Sequence, residues 1–123
     1  MMTGIELMAA ERKRQIESEG WTAEHDDEHS DGELARAAVC YATPVRLYEQ
    51  VDYAGGPAFQ DPWPESWSLG WDKRFSYGER RTNPGNMAPD PDTYTDQERL
   101  DLLIKAGALL AAEIDRLLRL KND

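Results

Sequence analysis

The hydrophobic pattern predicts a helix at the start of the chain. Thr3 can cap a helix that runs to about Glu19 and ends at Gly20. Its apolar stripe consists of Ile5, Met8, Ala9 and Ile16. Arg12 interrupts that stripe. One interpretation is that its aliphatic part covers apolar surface while its guanidinium group reaches water. The other is that the guanidinium group points into a ligand site.

A second helix is predicted from Ser30 onward, because Ser30-Asp31-Gly32-Glu33 matches a capping box. Its inward face consists of Leu34, Ala37, Ala38 and Tyr41. Thr43-Pro44 interrupts the pattern, since the residue before proline avoids the α region. Pro44 can also open a helical continuation, whose apolar set would be Leu47, Tyr48 and Val51.

The strongest helical pattern lies at the end of the chain. Thr95-Asp96-Gln97-Glu98 is a capping box, and the helix it begins extends to about Lys121. The predicted core stripe is Leu100, Leu103, Ile104, Gly107, Leu110, Ala111, Ile114, Leu117 and Leu118, while Leu102, Leu109 and Leu120 lie off it. Apolar residues thus cover most of the helix circumference, which predicts a central core helix, a dimer interface, or both. Gly107 on the stripe predicts that another backbone approaches closely there.

Residues 52–94 differ in kind from the two ends. They hold six of the seven prolines and three of the four tryptophans. Turn signals occur at 55–57 and 83–86. The four-residue spacing of Trp63, Trp67 and Trp71 predicts a helical turn or two begun by Pro64, and residues 74–77 are a strand candidate. A segment this long either contains short elements or acts as a functional lid or arm.

These patterns predict a mainly α fold. The expected architecture is one small domain of three to four helices with a long irregular Trp/Pro-rich insertion, and the domain is expected to be oligomeric. The N-terminal helices occupy 1–51, the insertion 52–94, and the C-terminal helix 95–123. A length of 123 residues fits one domain.

Charge and cysteine usage restrict the partners and the compartment. The net charge of −10 argues against binding of a nucleic-acid duplex, which needs a basic footprint, but it permits a small anion held by a few arginines. The single Cys40 excludes an intrachain disulfide and favours a reducing compartment. No long apolar run or signal pattern is visible, so we expect no membrane contact and a cytoplasmic location.

The densest polar cluster lies at residues 24–29, between the first two predicted helices. His25 and His29 are four apart, which is the spacing that places two ligands on one helix face. The candidate metal ligands are His25, Asp26, Asp27, His29 and Glu33, for a divalent metal such as Mg, Mn or Zn. Two other interpretations are a solvated acidic loop that caps the next helix and a contact with a ligand or partner.

A second cluster combines tryptophans with basic residues. It consists of Trp63, Trp67, Trp71, Lys73, Arg74, Arg80 and Arg81, and Arg12 is a further candidate for the same ligand. Aromatic faces can stack on a nucleobase, and guanidinium groups can hold phosphates in a bidentate manner. The structural alternative is that the tryptophans anchor a loop on the core and that Arg–Trp contacts stabilise it.

Motifs for catalysis are sparse. Cys40 is predicted to be a buried core residue, and the chain has no nucleophile elbow, phosphate-binding loop or dinucleotide fingerprint. Whether the protein is an enzyme is therefore left open by its sequence.

Several stretches resemble a family of short phage and prophage proteins. They are residues 11–15, 19–29, 32–42 and 105–117, with Glu-Gly-Trp-Thr-x-Glu-His-Asp-Asp-x-His at 19–29 and Lys-Ala-Gly-Ala-Leu-Leu-x-Ala-Glu-Ile at 105–114. The resemblance covers about half the chain and implies a phage origin, without assigning a catalytic residue. A more distant similarity is to the all-α MazG-like nucleotide pyrophosphatases, which bind Mg²⁺ through acidic motifs on two helices. The first of those motifs is missing from the predicted helices of this chain.

The leading hypothesis is a phage accessory protein that binds a small nucleotide without catalysis and sequesters a host antiviral nucleotide signal. We expect it to form a homo-oligomer through the helix at 95–121. One alternative is a metal-dependent nucleotide phosphohydrolase that uses the His/Asp cluster. Another is an acidic helical module that inhibits a host protein.

Overall fold

The computed structural model describes residues 1–77 and 88–122. Its main elements are α1 Gly4–Glu19, α2 Ala23–Asp27, α3 Glu33–Ala42, β1 Glu49–Tyr53, β2 Gly56–Gln60 and α4 Asp96–Asn122. Short 3-10 helices occupy Leu69–Trp71, Lys73–Tyr77 and Pro91–Thr93. The mainly α class is therefore confirmed. Within the described ranges, no helix is long and apolar enough to cross a membrane.

The caps predicted for the first and last helices are present. Thr3 and Glu6 form a reciprocal capping box, and Gly20 ends α1 in the left-handed region at φ 75°. At the start of α4, the backbone N–H of Thr95 donates to Glu98, and the backbone N–H of Glu98 donates to the Thr95 hydroxyl. Both helices therefore begin where side chains satisfy their first free N–H groups.

The connector between α1 and α3 differs from the prediction. It contains the short helix α2, which is capped by the Thr22 hydroxyl. Helix α3 begins at Glu33 with Gly32 as its N-cap, so the capping box predicted at Ser30 does not form. The Glu33 carboxylate accepts instead from the backbone N–H of Asp31 at 2.6 Å. This single bond from the Asp31 N–H to the Glu33 side chain replaces the two reciprocal bonds expected between Ser30 and Glu33.

A β-hairpin replaces the predicted helical continuation after Pro44. Strands β1 and β2 pair antiparallel, with Val51 opposite Ala58. The turn between them falls at 54–55, next to the Gly-Gly-Pro signal. The strand candidate at 74–77 is wrong, because these residues belong to a 3-10 helix. Tryptophan spacing predicted a turn after Pro64, and the N–H of Trp67 does donate to the Pro64 carbonyl at 3.2 Å.

The core lies between α3 and α4, and the tryptophan-containing segment packs against it. All four residues predicted for the inward face of α3 are buried. The buried core cluster contains Leu34, Ala37, Ala38, Cys40, Tyr41, Trp63, Trp67, Leu102, Ala106, Leu109 and Ala112. The α4 residue Arg99 donates to the carbonyls of Tyr41, Ala42 and Thr43, so it satisfies the free acceptors at the end of α3.

Helix α4 buries a different face from the one that its apolar stripe predicted. Leu102 and Leu109, which lie off the stripe, are in the core. Most of the large stripe residues are exposed: Leu100, Leu103, Leu110, Ile114, Leu117 and Leu118. The buried face carries alanines and the Glu113–Arg116 ion pair. Small side chains allow α3 to approach closely, and this close packing decided the orientation of a helix that is apolar around most of its circumference.

Gly107 is a point of close approach, although its neighbour is a side chain. A Cβ built at Gly107 would lie 1.9 Å from Sδ and 2.7 Å from Cγ of Met8. The element that approaches Gly107 is α1, and the nearest atoms belong to the Met8 side chain rather than to its backbone. Helix α1 crosses α4 here and inserts Met8 where a side chain would stand.

Adjacent leucines test which face of α4 is buried. Leu102 is 0% exposed and Leu103 is 41% exposed. We expect Leu102→Ala to lower the free energy of unfolding by about 2–5 kcal/mol, because it leaves a core cavity. Leu103→Ala should change it by less than about 1 kcal/mol. Urea denaturation at low protein concentration measures both. Equal losses for the two variants would contradict the orientation of α4.

Candidate functional site

Trp21 is the centre of an aromatic cluster at one side of the helical core. Its ring centroid lies 5.1 Å from that of Trp67, 5.9 Å from that of Trp71 and 4.7 Å from that of His25. The tryptophan pairs are edge-to-face, which is the arrangement that the charge distribution of aromatic rings favours. The turn at Gly20 and the cap of α2 hold Trp21 in this position.

The two histidines join this cluster from α2 and the turn after it. Their ring centroids are 4.8 Å apart. Trp67 Nε1 donates a hydrogen bond to His29 Nδ1 at 3.2 Å. His29 therefore acts as an acceptor at Nδ1, which in a neutral imidazole leaves the proton on Nε2. This bond ties the irregular tryptophan segment to the connector before α3.

The three tryptophans predicted to bind ligand fall into two groups. Trp63 and Trp67 are buried, and Trp63 packs 5.5 Å from Tyr41 by ring centroids. Trp71 is 41% exposed, and its ring lies 5.5 Å from that of Trp67. The first two anchor the segment on the core, whereas Trp71 presents part of its ring to solvent.

Arg74, predicted to bind ligand, is a buried cross-link within the irregular segment. Its three guanidinium nitrogens donate to the carboxylates of Asp61 and Asp72 at 2.7–3.1 Å. The guanidinium also lies 5.6 Å above the Trp63 ring. Burial raises the pKa of Asp72, while the contact with Arg74 opposes that rise. An incoming anion would have to displace two carboxylates to use Arg74. Arg80 and Arg81 lie outside the described residues.

Arg12 reaches the connector rather than open solvent. Its Nη2 donates to Asp26 Oδ2 at 3.0 Å and its Nη1 donates to the Trp21 carbonyl at 3.3 Å. Asp26 is 0% exposed. Burial raises the pKa of Asp26, and the Arg12 charge opposes that rise. The pair therefore fixes α2 and Trp21 against α1.

The five candidate metal ligands do not converge on one point. Asp26 pairs with Arg12, and Asp27 Oδ1 accepts from Arg119 at 2.8 Å. His29 Nδ1 lies 3.5 Å from Glu33 Oε2, and His25 Nδ1 lies 3.7 Å from Asp26 Oδ1. Among residues 1–77 and 88–122, no three histidine, cysteine or acidic side chains are grouped as a metal ion requires.

An open cavity of about 310 Å³ adjoins the exposed side of the aromatic cluster. Its lining consists of Glu19, Trp21, His25, Trp71 and Lys73. Lys73 Nζ lies 3.2 Å from Glu19 Oε1. Arg14 Nη2 lies 3.4 Å from Glu19 Oε2. The cavity therefore has aromatic walls and, at one end, the Lys73 ammonium group paired with Glu19. This combination can hold a planar ring and an anionic group together.

Cys40 is not poised as a nucleophile. It is buried in α3, and burial raises the pKa of its thiol to about 12. A thiol in this state carries almost no thiolate near neutral pH. The prediction that Cys40 is a core residue is confirmed.

Sequence reasoning missed the central role of Trp21. The four-residue spacing that groups Trp63, Trp67 and Trp71 does not include it. One signal was available, since a large aromatic residue directly after a helix-ending glycine needs a surface to pack against. Nothing in the spacing indicated that Trp71 and Lys73 would meet it, because 50 residues or more separate them from Trp21 along the chain.

Comparison with known proteins found no matching family model, no matching curated protein and no matching solved structure.

Removing Arg12 should produce a pH-dependent loss of stability. Burial already raises the pKa of Asp26, and loss of Arg12 would raise it further. Between the unfolded and folded pKa values the folded state binds more protons, so stability falls as pH rises. We expect Arg12→Ala to lower the free energy of unfolding by about 3–5 kcal/mol at neutral pH and by less in mild acid. Urea denaturation at both pH values measures this difference.

The double variant Arg12→Ala/Asp26→Asn is the control. It removes the buried charge together with its partner, so the additional pH dependence should disappear. An equal loss for Arg12→Ala at both pH values would show that Asp26 does not carry an unpaired charge in that variant.

Proposed function

We propose that this protein binds a small nucleotide without catalysis, in the cavity lined by Trp21, His25, Trp71 and Lys73. The observation that carries the proposal is the partly exposed Trp71 ring beside the Lys73 ammonium group. A base would stack on Trp71, and the phosphate would lie toward Lys73. The volume of about 310 Å³ falls at the lower end of the range for small-molecule sites.

The aromatic walls support a ligand with a planar ring. Trp71 is braced edge-to-face by Trp21 and Trp67, so binding would cost little side-chain ordering. Stacking of a base on an aromatic side chain is worth about 1–3 kcal/mol. The bracing therefore favours a rigid platform at this place.

The charges support an anionic group on the same ligand. Lys73 contacts Glu19, so a phosphate at Lys73 would compete with one carboxylate. Arg74, Arg12 and Arg14 are less available, because carboxylates hold them. Arg14 donates two hydrogen bonds to Glu11, at 2.7 and 2.8 Å. The proposed phosphate contact therefore shifts from the arginines predicted by sequence to Lys73. Arg80 and Arg81 stay a prediction from the sequence.

The ion pairs of the candidate metal ligands favour nucleotide binding over the alternative of a metal-dependent hydrolase. Asp26 and Asp27 are paired with Arg12 and Arg119, and the described residues contain no group of three side chains that could hold a metal ion. In a phage setting, which the sequence resemblance implies, a non-catalytic nucleotide binder would sequester a host signalling nucleotide. The predicted homo-oligomer is a separate proposal, since none of the cavity contacts depends on a second chain.

Replacing Trp71 tests the stacking platform. We expect Trp71→Ala to weaken nucleotide binding about tenfold or more, and Trp71→Phe to retain most of the affinity. The matched control is Leu69→Ala in the same short helix, which removes an exposed side chain outside the cavity lining. Calorimetric titration with linear and cyclic nucleotides measures the affinities. The proposal fails if the unmodified protein binds none of them, or if Leu69→Ala and Trp71→Ala behave alike.

Lys73→Ala tests the phosphate end independently. It should weaken binding of a nucleotide more than binding of the matching nucleoside, because only the nucleotide carries the phosphate. Equal weakening of both ligands would place the phosphate elsewhere. Circular dichroism would confirm that each variant remains folded.

A further inference from the structure

Helix α4 exposes a row of large aliphatic side chains, with Gly107 in the middle of the row. We call the α4 seam the set Leu100, Leu103, Leu110, Ile114 and Leu117, which are all at least 41% exposed. The opposite face of the same helix buries the charged residues Glu113 and Arg116. Exposed aliphatic residues that occur singly are ordinary, but a contiguous row on one helix face marks an interaction surface.

The seam has the spacing of a self-pairing helix. Its members, with Gly107 between them, alternate steps of three and four residues from 100 to 117. This is the a/d pattern by which helices pack together along a shared stripe. Angular spacing places Asp96 and Lys121 on the same line, one at each end of the helix.

We propose that the α4 seam pairs antiparallel with the seam of a second copy of this chain. A two-fold axis between residues 108 and 109 would place Leu103 opposite the partner's Ile114. It would also place Leu100 opposite the partner's Leu117. Every seam residue then meets an apolar residue of the second copy, as a closed symmetric interface requires.

Charge favours the antiparallel direction and a second copy as the occupant. About the same axis, Asp96 meets the partner's Lys121 at each end of the seam. A parallel pair would bring the two Lys121 side chains together. Antiparallel helices also place opposite ends of their macrodipoles side by side. A second copy of the chain therefore supplies both the apolar contacts along the seam and the oppositely charged residues at its ends.

The remaining position of the seam is filled from within the chain. Gly107 has no side chain, and Met8 of α1 occupies the space where one would stand. The partner's Leu110 would therefore pack against Met8 and the Gly107 backbone. Helix α1 thus contributes to the interface, and its flexible thioether suits an irregular contact.

The size of the seam sets the expected affinity. Eighteen residues of helix span about 27 Å. A single pair of helices of this length forms a small interface, and small interfaces are typical of weak, transient complexes. We therefore expect a dissociation constant of micromolar order. The monomer–dimer equilibrium should then be visible over an ordinary range of protein concentrations.

Sedimentation equilibrium of the full chain tests the proposal. We expect the unmodified protein to dimerise with rising concentration. Leu110→Glu/Ile114→Glu should be monomeric at the same concentrations with an unchanged helical circular-dichroism spectrum, because both side chains are exposed in the monomer. The matched control Val39→Glu changes an exposed aliphatic residue on α3 and should still dimerise. A monomeric unmodified protein, or a dimer that survives the double substitution, would overturn the proposal.

Cysteine cross-linking tests the antiparallel direction. Leu103→Cys and Ile114→Cys should each form little disulfide-linked dimer alone and should form it readily when the two variants are mixed. Parallel pairing would instead cross-link each variant by itself. The unmodified protein, whose Cys40 is buried, provides the background. A dimer that shows no preference for the mixture would overturn this register.

Discussion

The close packing of α3 on α4 is the contact on which the rest of the structure depends. Alanines on both helices allow this approach, and Leu34 and Leu102 fill the core between them. Once α4 turns its alanine-rich face toward α3, its larger aliphatic residues must face outward. The orientation of α4 therefore creates both the core of the domain and the exposed α4 seam. It also explains why so many leucines of this helix are exposed.

Residues 61–77, whose only regular elements are two short 3-10 helices, are held in place by ion pairs and aromatic contacts. Arg74 joins Asp61 and Asp72, while Trp63 and Trp67 are inserted into the core. Buried pairs of this kind contribute little net stability relative to apolar packing, but breaking one leaves an uncompensated charge. They specify one arrangement of the segment. Trp71 then stands at a defined place beside Lys73, where the proposed ligand would bind.

In the first and last helices, the ends were more predictable than the buried faces. The Thr3 and Thr95 caps are local hydrogen bonds between residues three apart, so sequence spacing alone reveals them. The same logic did not succeed at Ser30, where Glu33 found a nearer backbone donor. It also missed the hairpin at 49–60, because strand pairing depends on a partner and on packing rather than on propensity alone.

By itself the sequence determined the mainly helical class, the ends of the first and last helices, and the burial of Cys40 and the apolar face of α3. These follow from local caps and from a 3.6-residue period. Tertiary structure decided which side of α4 is buried, and it gathered Trp21, Trp71, His25 and Lys73 around one cavity. A helical period shows which residues share a face, whereas the choice of the buried face and the meeting of distant side chains depend on shape complementarity between elements.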